Sequence, residues 1–139
     1  MDFSSFPIVL VAIFVLITLL LVVFVFVKMR RRKGFSSESM QYIRSHWIRI
    51  IDSFDSHPKN AVLDMDKLLD YALSRHGFEG SLGEKLKKAG PRFKDLNGVW
   101  SAHKLRNRVA HELGDIDKGQ AKRALKQFKS ALNDLGAEL

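Results

Sequence analysis

The chain has 139 residues, 23 Lys and Arg against 15 Asp and Glu for a net charge of +8, 46% hydrophobic residues and no cysteine. That length holds at most one small domain. Zero cysteine excludes disulfides, thiolate zinc sites, iron–sulfur clusters and cysteine nucleophiles together.

The mean hydropathy of -0.08 averages two unlike parts. Residues 8–27 carry no charge, and eighteen of these twenty are Leu, Ile, Val or Phe. At 1.5 Å per residue such a helix spans about 30 Å, the hydrocarbon thickness of a bilayer. Insertion is favoured by on the order of 5 to 10 kcal/mol. A cleaved signal peptide would need a basic start, a shorter apolar core and a small-x-small site. The sequence instead offers Asp2, twenty apolar residues and Phe26-Val27-Lys28-Met29, which favours a permanent anchor.

Lys28, Arg30, Arg31, Arg32 and Lys33 follow the span, whereas residues 1–7 carry only Asp2 and the terminal amine. By the positive-inside rule residues 1–7 lie outside, residues 8–27 cross the inner (plasma) membrane, and the remainder is cytoplasmic. The five cations suit an anionic lipid surface, so the bilayer is the first expected partner. Residues 28–36 read as a basic juxtamembrane linker. Beyond the five cations and Asp2, 18 cations face 14 acids, a mildly basic balance.

The expected fold is all-α, with residues 37–139 forming a cytoplasmic bundle of about four to five helices. Met40, Ile43, Trp47, Ile50, Ile51 and Phe54 recur at three- and four-residue steps and predict a first amphipathic helix, ended near Asp55 to Pro58. Ala61, Val62, Met65, Leu68, Leu69, Ala72 and Leu73 form the stripe of a second, closed by Gly77. Ser81-Leu82-Gly83-Glu84 has capping-box spacing for a short third helix carrying Leu82 and Leu86, stopped by Gly90-Pro91. A fourth begins near Asn97 and runs through Glu112. Asp117 caps a fifth, whose face is Ala121, Ala124, Leu125, Phe128, Ala131, Leu132 and Leu135 up to Gly136. Membrane tethering concentrates copies in two dimensions, so a homodimer is also expected to be accessible.

On a helical projection of the fourth helix, Val99, Ala102, Leu105, Val109 and Ala110 form the buried face. Arg106 falls inside this sector. Ser101, Lys104, Arg108 and Glu112 are polar and opposite, and Trp100, His103, Asn107 and His111 lie between. A guanidinium in a core costs several kcal/mol unless it is paired. Arg106 therefore either meets Asp66 or Asp70 on the second helix, or lines a polar groove with Asn107 and His111. In a groove the guanidinium could hold a phosphate bidentately and the imidazole could move a proton.

Trp100-Ser101-Ala102-His103-Lys104-Leu105-Arg106-Asn107-Arg108-Val109-Ala110-His111-Glu112 resembles the motif of HEPN domains: arginine, a polar residue, a few more residues, then histidine. Asp66-Lys67-Leu68-Leu69-Asp70 and the alanine-rich last helix are also similar to small bacterial membrane-anchored members of that type. The likeness spans residues 61–135. Many HEPN domains are metal-independent endoribonucleases working as dimers with two motifs across one cleft. Others keep the bundle for binding or scaffolding. The resemblance implies catalytic roles for His111 in attack of the RNA 2′-OH, for Arg106 on the phosphorane charge and for Asn107 in orienting them, with no cofactor. Lys104, Arg108 and Lys88 are the expected RNA contacts, Lys88 within a basic run of Lys85, Lys87, Lys88, Arg92 and Lys94. The alternative is a non-catalytic module that recruits another protein.

Other signals are weak. His103 and His111 are eight apart, without the His-Glu-x-x-His spacing of a helical zinc site. Gly77, Gly80 and Gly83 lack the Lys-Ser/Thr ending of a phosphate loop.

Overall fold

The computed structural model describes residues 6–30 and 34–139, with backbone alone at residues 28–30. The basic run from Lys28 to Lys33 thus lies outside the residues whose side chains are described. Two compact units divide between residues 33 and 34.

The first unit is helix α1, Phe6–Arg30. Its Phe6–Val27 stretch is long and apolar enough to cross a membrane, and none of it is buried. Leu, Val, Ile and Phe surround it on every side, so it presents no apolar stripe to a protein core. Its hydroxyl at Thr18 donates to the Phe14 carbonyl at 2.9 Å, a bond that needs no water.

In the second unit, α2 (Ser37–Phe54), α3 (Pro58–Arg75), α4 (Leu82–Ala89), a 3-10 turn (Gly90–Arg92), α5 (Leu96–His111) and α6 (Lys118–Asp134) form a helical bundle, and no strand occurs among the described residues. Helix α3 is the hub. It packs on α2, α4, α5 and α6, because Ala61, Val62, Met65, Leu68, Leu69, Ala72 and Leu73 give it apolar surface wide enough for several neighbours. Helix α6 contributes Ala121, Ala124, Phe128, Ala131 and Leu132, whose small alanines admit close approach around one large ring.

Local chemistry sets the helix ends. Ser36 caps α2 by accepting from the Ser39 backbone N–H at 3.2 Å. Ser81 and Glu84 complete a reciprocal capping box on α4. Asp95 accepts from Gly98 N–H at 2.8 Å and Asp117 from Gln120 N–H at 2.9 Å. Helices α3 and α6 both stop in left-handed glycines, Gly77 at φ +85° and Gly136 at φ +99°. Each carries the paired bonds of a Schellman cap: Gly77 to Ser74 and Phe78 to Leu73, Gly136 to Asn133 and Ala137 to Leu132.

Some expected faces differ. Ile51 is exposed and Met40 half-buried on α2, while Ser39 is buried. Arg75 Nε donates to the Ser39 hydroxyl at 3.0 Å from α3, a long-range bond that offsets the cost of burying it. Ala110 is exposed because α5 ends one residue later.

His76 joins the two capped helix ends. Its Nε2–H donates to the Leu135 carbonyl at 2.8 Å and Nδ1 accepts from Arg92 Nη1 at 3.1 Å. The bond from Arg92 requires a neutral ring, because Nδ1 must keep its lone pair to accept it. Burial first, and then the Arg92 charge, pull its pKa below the ordinary 6.5 against the Leu135 bond, which raises it. The unfolded chain therefore binds the proton more readily than the folded one. This stability contribution is present above pH 6.5 and is lost as pH falls below it. Urea unfolding of the full chain in detergent is expected to show lower stability at pH 5.5 than at pH 7.5, with a smaller drop in His76→Gln. An equal drop in the variant would contradict the assignment.

Candidate functional site

Helix α5 lies between α3 and α6 and carries every motif residue. Its buried residues Gly98, Val99, Ala102 and Val109 face the bundle, and one polar edge turns toward α3. There Asp66, with its side chain only 6% exposed, faces two residues of α5. His103 Nδ1 lies 2.8 Å from Asp66 Oδ1, and Arg106 Nε 3.2 Å from Oδ2.

The two contacts differ in kind. With Nδ1–H given to the carboxylate, His103 Nε2 is left to accept from Asn107 Nδ2 at 3.3 Å. Arg106 Nε is at ion-pair distance, yet its N–H makes no hydrogen bond with good geometry. The attraction there is of charge rather than of a directed bond. Arg106 Nη1 donates to Asn107 Oδ1 at 2.9 Å, which closes a ring of four side chains: Asp66, His103, Asn107 and Arg106. No hydrogen bond among the described residues engages Arg106 Nη2, and the side chain is 32% exposed. Trp100 sets the far edge, with its ring 6.0 Å from that of His103 and nearly perpendicular to it.

Of the motif residues, Arg106 and Asn107 are therefore brought together. His111 is the last residue of α5, exposed, and makes no hydrogen bond or ion pair among the described residues. One helical turn separates it from Asn107, so the two side chains share a face. His103 is the histidine that joins the ring. In the sequence it stands beside the motif without a role, although its i, i+3 and i, i+4 spacing to Arg106 and Asn107 carries the signal. Of the two acids that flank the apolar face of α3, Asp66 meets Arg106. The other, Asp70, accepts instead from Lys85 Nζ at 2.8 Å.

Lys85, a member of the basic run, is not on the solvent-facing side. It is buried and also donates to Ser74 Oγ at 2.6 Å. Arg92 bonds His76, Lys94 sits 3.7 Å from Asp134, and exposed Lys88 donates to the Glu79 carbonyl at 3.2 Å. The run around α4 is thus partly committed to internal partners. Lys104 and Arg108 project from the opposite side of α5 to Arg106 and line a groove against α6. Arg108 Nη2 donates to Gln120 Oε1 at 2.9 Å, and Arg108 Nε lies 3.7 Å from Glu112. Among the described residues no three His, Asp or Glu side chains converge as metal ligands would.

Compared with known proteins, the chain matches no family model, no curated protein and no solved structure.

Breaking a buried ion pair from one side leaves the other charge uncompensated. Asp66→Ala is expected to cost about 3 kcal/mol in urea unfolding. Asp66→Asn, which can still accept from His103, should cost less. Equal, near-zero losses would show that the ring of side chains carries no stability.

Proposed function

We propose that the chain is a single-pass inner-membrane protein, with its N-terminus outside and its bundle in the cytoplasm, and that the bundle is a HEPN-like module that binds RNA and cleaves it without a metal. The observation that carries this reading is the exposed edge of α5, where Arg106 keeps a free Nη2, Asn107 is held against it, and unbonded His111 stands one turn away. That set offers a phosphate-binding cation, an orienting amide and a proton carrier on one helix.

The chemistry follows from those groups. The RNA 2′-OH gives its proton to an imidazole nitrogen of His111, and its oxygen attacks the adjacent phosphorus. The bond from phosphorus to the 5′ oxygen breaks, leaving a cyclic 2′,3′-phosphate. The departing oxygen takes a proton from the protonated His111 of a second copy, so the protons balance across a homodimer. Arg106 Nη2 faces the charge that develops on the phosphorane, where a preorganised cation acts most strongly. Asp66 keeps Arg106 near the groups it must serve, and also removes part of its charge from the substrate.

That last feature favours a second reading. Arg106 and His103 both answer a buried carboxylate, as residues would in a bundle that serves only to recruit another protein. His111 separates the two. It is exposed and unbonded, so His111→Ala should leave the melting temperature unchanged in either case. The nuclease reading expects the full chain in detergent to cleave single-stranded RNA between pH 6 and 9 with EDTA present, and His111→Ala to lose about 100-fold or more of that rate. Intact RNA at every pH, or cleavage undiminished in the variant, would overturn it.

A further inference from the structure

Helix α6 carries Lys118, Lys122, Arg123, Lys126 and Lys129, and its only acid is Asp134 at the last position. All five cations are exposed, and none forms an ion pair or hydrogen bond among the described residues. Around α4 the balance differs, because Lys85 is buried on Asp70 and Arg92 bonds His76. Unpaired like charges on one helix repel one another, and no acid within the first four turns of α6 offsets that cost.

The place where this charge becomes concave is the α5–α6 groove. Ser101, Lys104, Leu105, Arg108, Gln120, Arg123 and Gln127 enclose about 400 Å³, with three cations and no acid in the lining. Arg108 bridges the walls through Gln120, which fixes one guanidinium in the groove without neutralising it. Glu112 stands at the rim, 3.7 Å from Arg108 Nε.

We propose that this groove holds the sugar–phosphate backbone of a single RNA strand, with Lys104, Arg108 and Arg123 on its phosphates and Gln120 and Gln127 on its sugar hydroxyls and bases. The proposal rests on the RNA reading above and assigns the track that reading leaves open. A concavity of about 400 Å³ between two packed helices has room for part of one strand and not for a duplex. The amide side chains supply donors and acceptors suited to nucleotide edges and 2′-OH groups. A bilayer surface is the competing anion, but a plane meets convex ground and cannot follow cations into a groove. Along α5, Lys104 and Arg108 stand three residues before Asn107 and His111, so a strand leaving the groove around that side of the helix reaches the Asn107–His111 edge of the motif.

The test is fluorescence anisotropy of a labelled uridine-rich single-stranded RNA with the full chain in neutral detergent, across a salt series. Wild type should bind with a logarithmic salt slope that becomes shallower by about 0.7 for each groove cation removed. Lys104→Gln/Arg108→Gln/Arg123→Gln should lose at least tenfold in affinity, and Arg123→Gln alone, at an unbonded position, should show part of that loss with an unchanged melting temperature. Lys87→Gln, at an exposed position of α4 away from the groove, should bind as wild type. Absence of RNA binding by wild type would overturn the RNA reading and the groove with it. Binding of wild-type strength that survives the triple change would overturn the groove alone. Loss of binding to vesicles of anionic phospholipid, with RNA affinity unchanged, would assign the groove cations to the membrane and overturn the proposal.

Discussion

Asp66 is the carboxylate on which the arrangement of α5 depends. Burying a charge is costly, and a carboxylate at the α3–α5 contact persists only because two nitrogen-bearing side chains meet it there. The same demand that makes Asp66 expensive makes the contact specific. A rotation of α5 by one residue would remove both His103 and Arg106 from it and leave the carboxylate alone. Apolar packing of Val99, Ala102 and Val109 tolerates small slips. The ring of Asp66, His103, Asn107 and Arg106 does not, and so it defines which edge of α5 faces solvent.

A second consequence concerns where charge is spent. Around α4 two cations have partners in the bundle, Lys85 on Asp70 and Arg92 on His76, while Lys94 stays exposed beside Asp134. On α6 the cations are left outward and unmatched. A net balance counted over the whole bundle averages these two regimes and understates the second. Buried Lys85 serves cohesion, while the cations of α6 stay available to a ligand.

Periodicity and capping chemistry made most of the helices legible in the sequence. The stripes of α3 and α6 are buried as their spacing requires, and the Ser81–Glu84 box and the Asp117 cap form at their expected ends. These signals are local, so a sequence carries them. Burial of Ser39 and Lys85 was not legible, because each depends on a partner from another helix, 36 and 15 residues away. The projection of α5 puts Arg106 inside an apolar sector, whereas its side chain is half-buried, and periodicity alone cannot choose between Asp66 and Asp70. That choice is made by the packing of α4, whose Lys85 takes Asp70. The spacing of His103 to Asn107 is legible, but its main partner is a carboxylate 37 positions earlier, which no local pattern reveals.

The dependence of α5 on Asp66 is tested most directly by a double-mutant cycle in the full chain, using Asp66→Ala, Arg106→Ala and the pair together, read by urea unfolding. Two side chains that share a charge contact through Asp66 should be coupled by about 1–3 kcal/mol, the double variant losing less than the two single losses combined. Losses that simply add, to within about 0.5 kcal/mol, would mean that Arg106 draws nothing from Asp66 and that the edge of α5 is set by apolar packing alone.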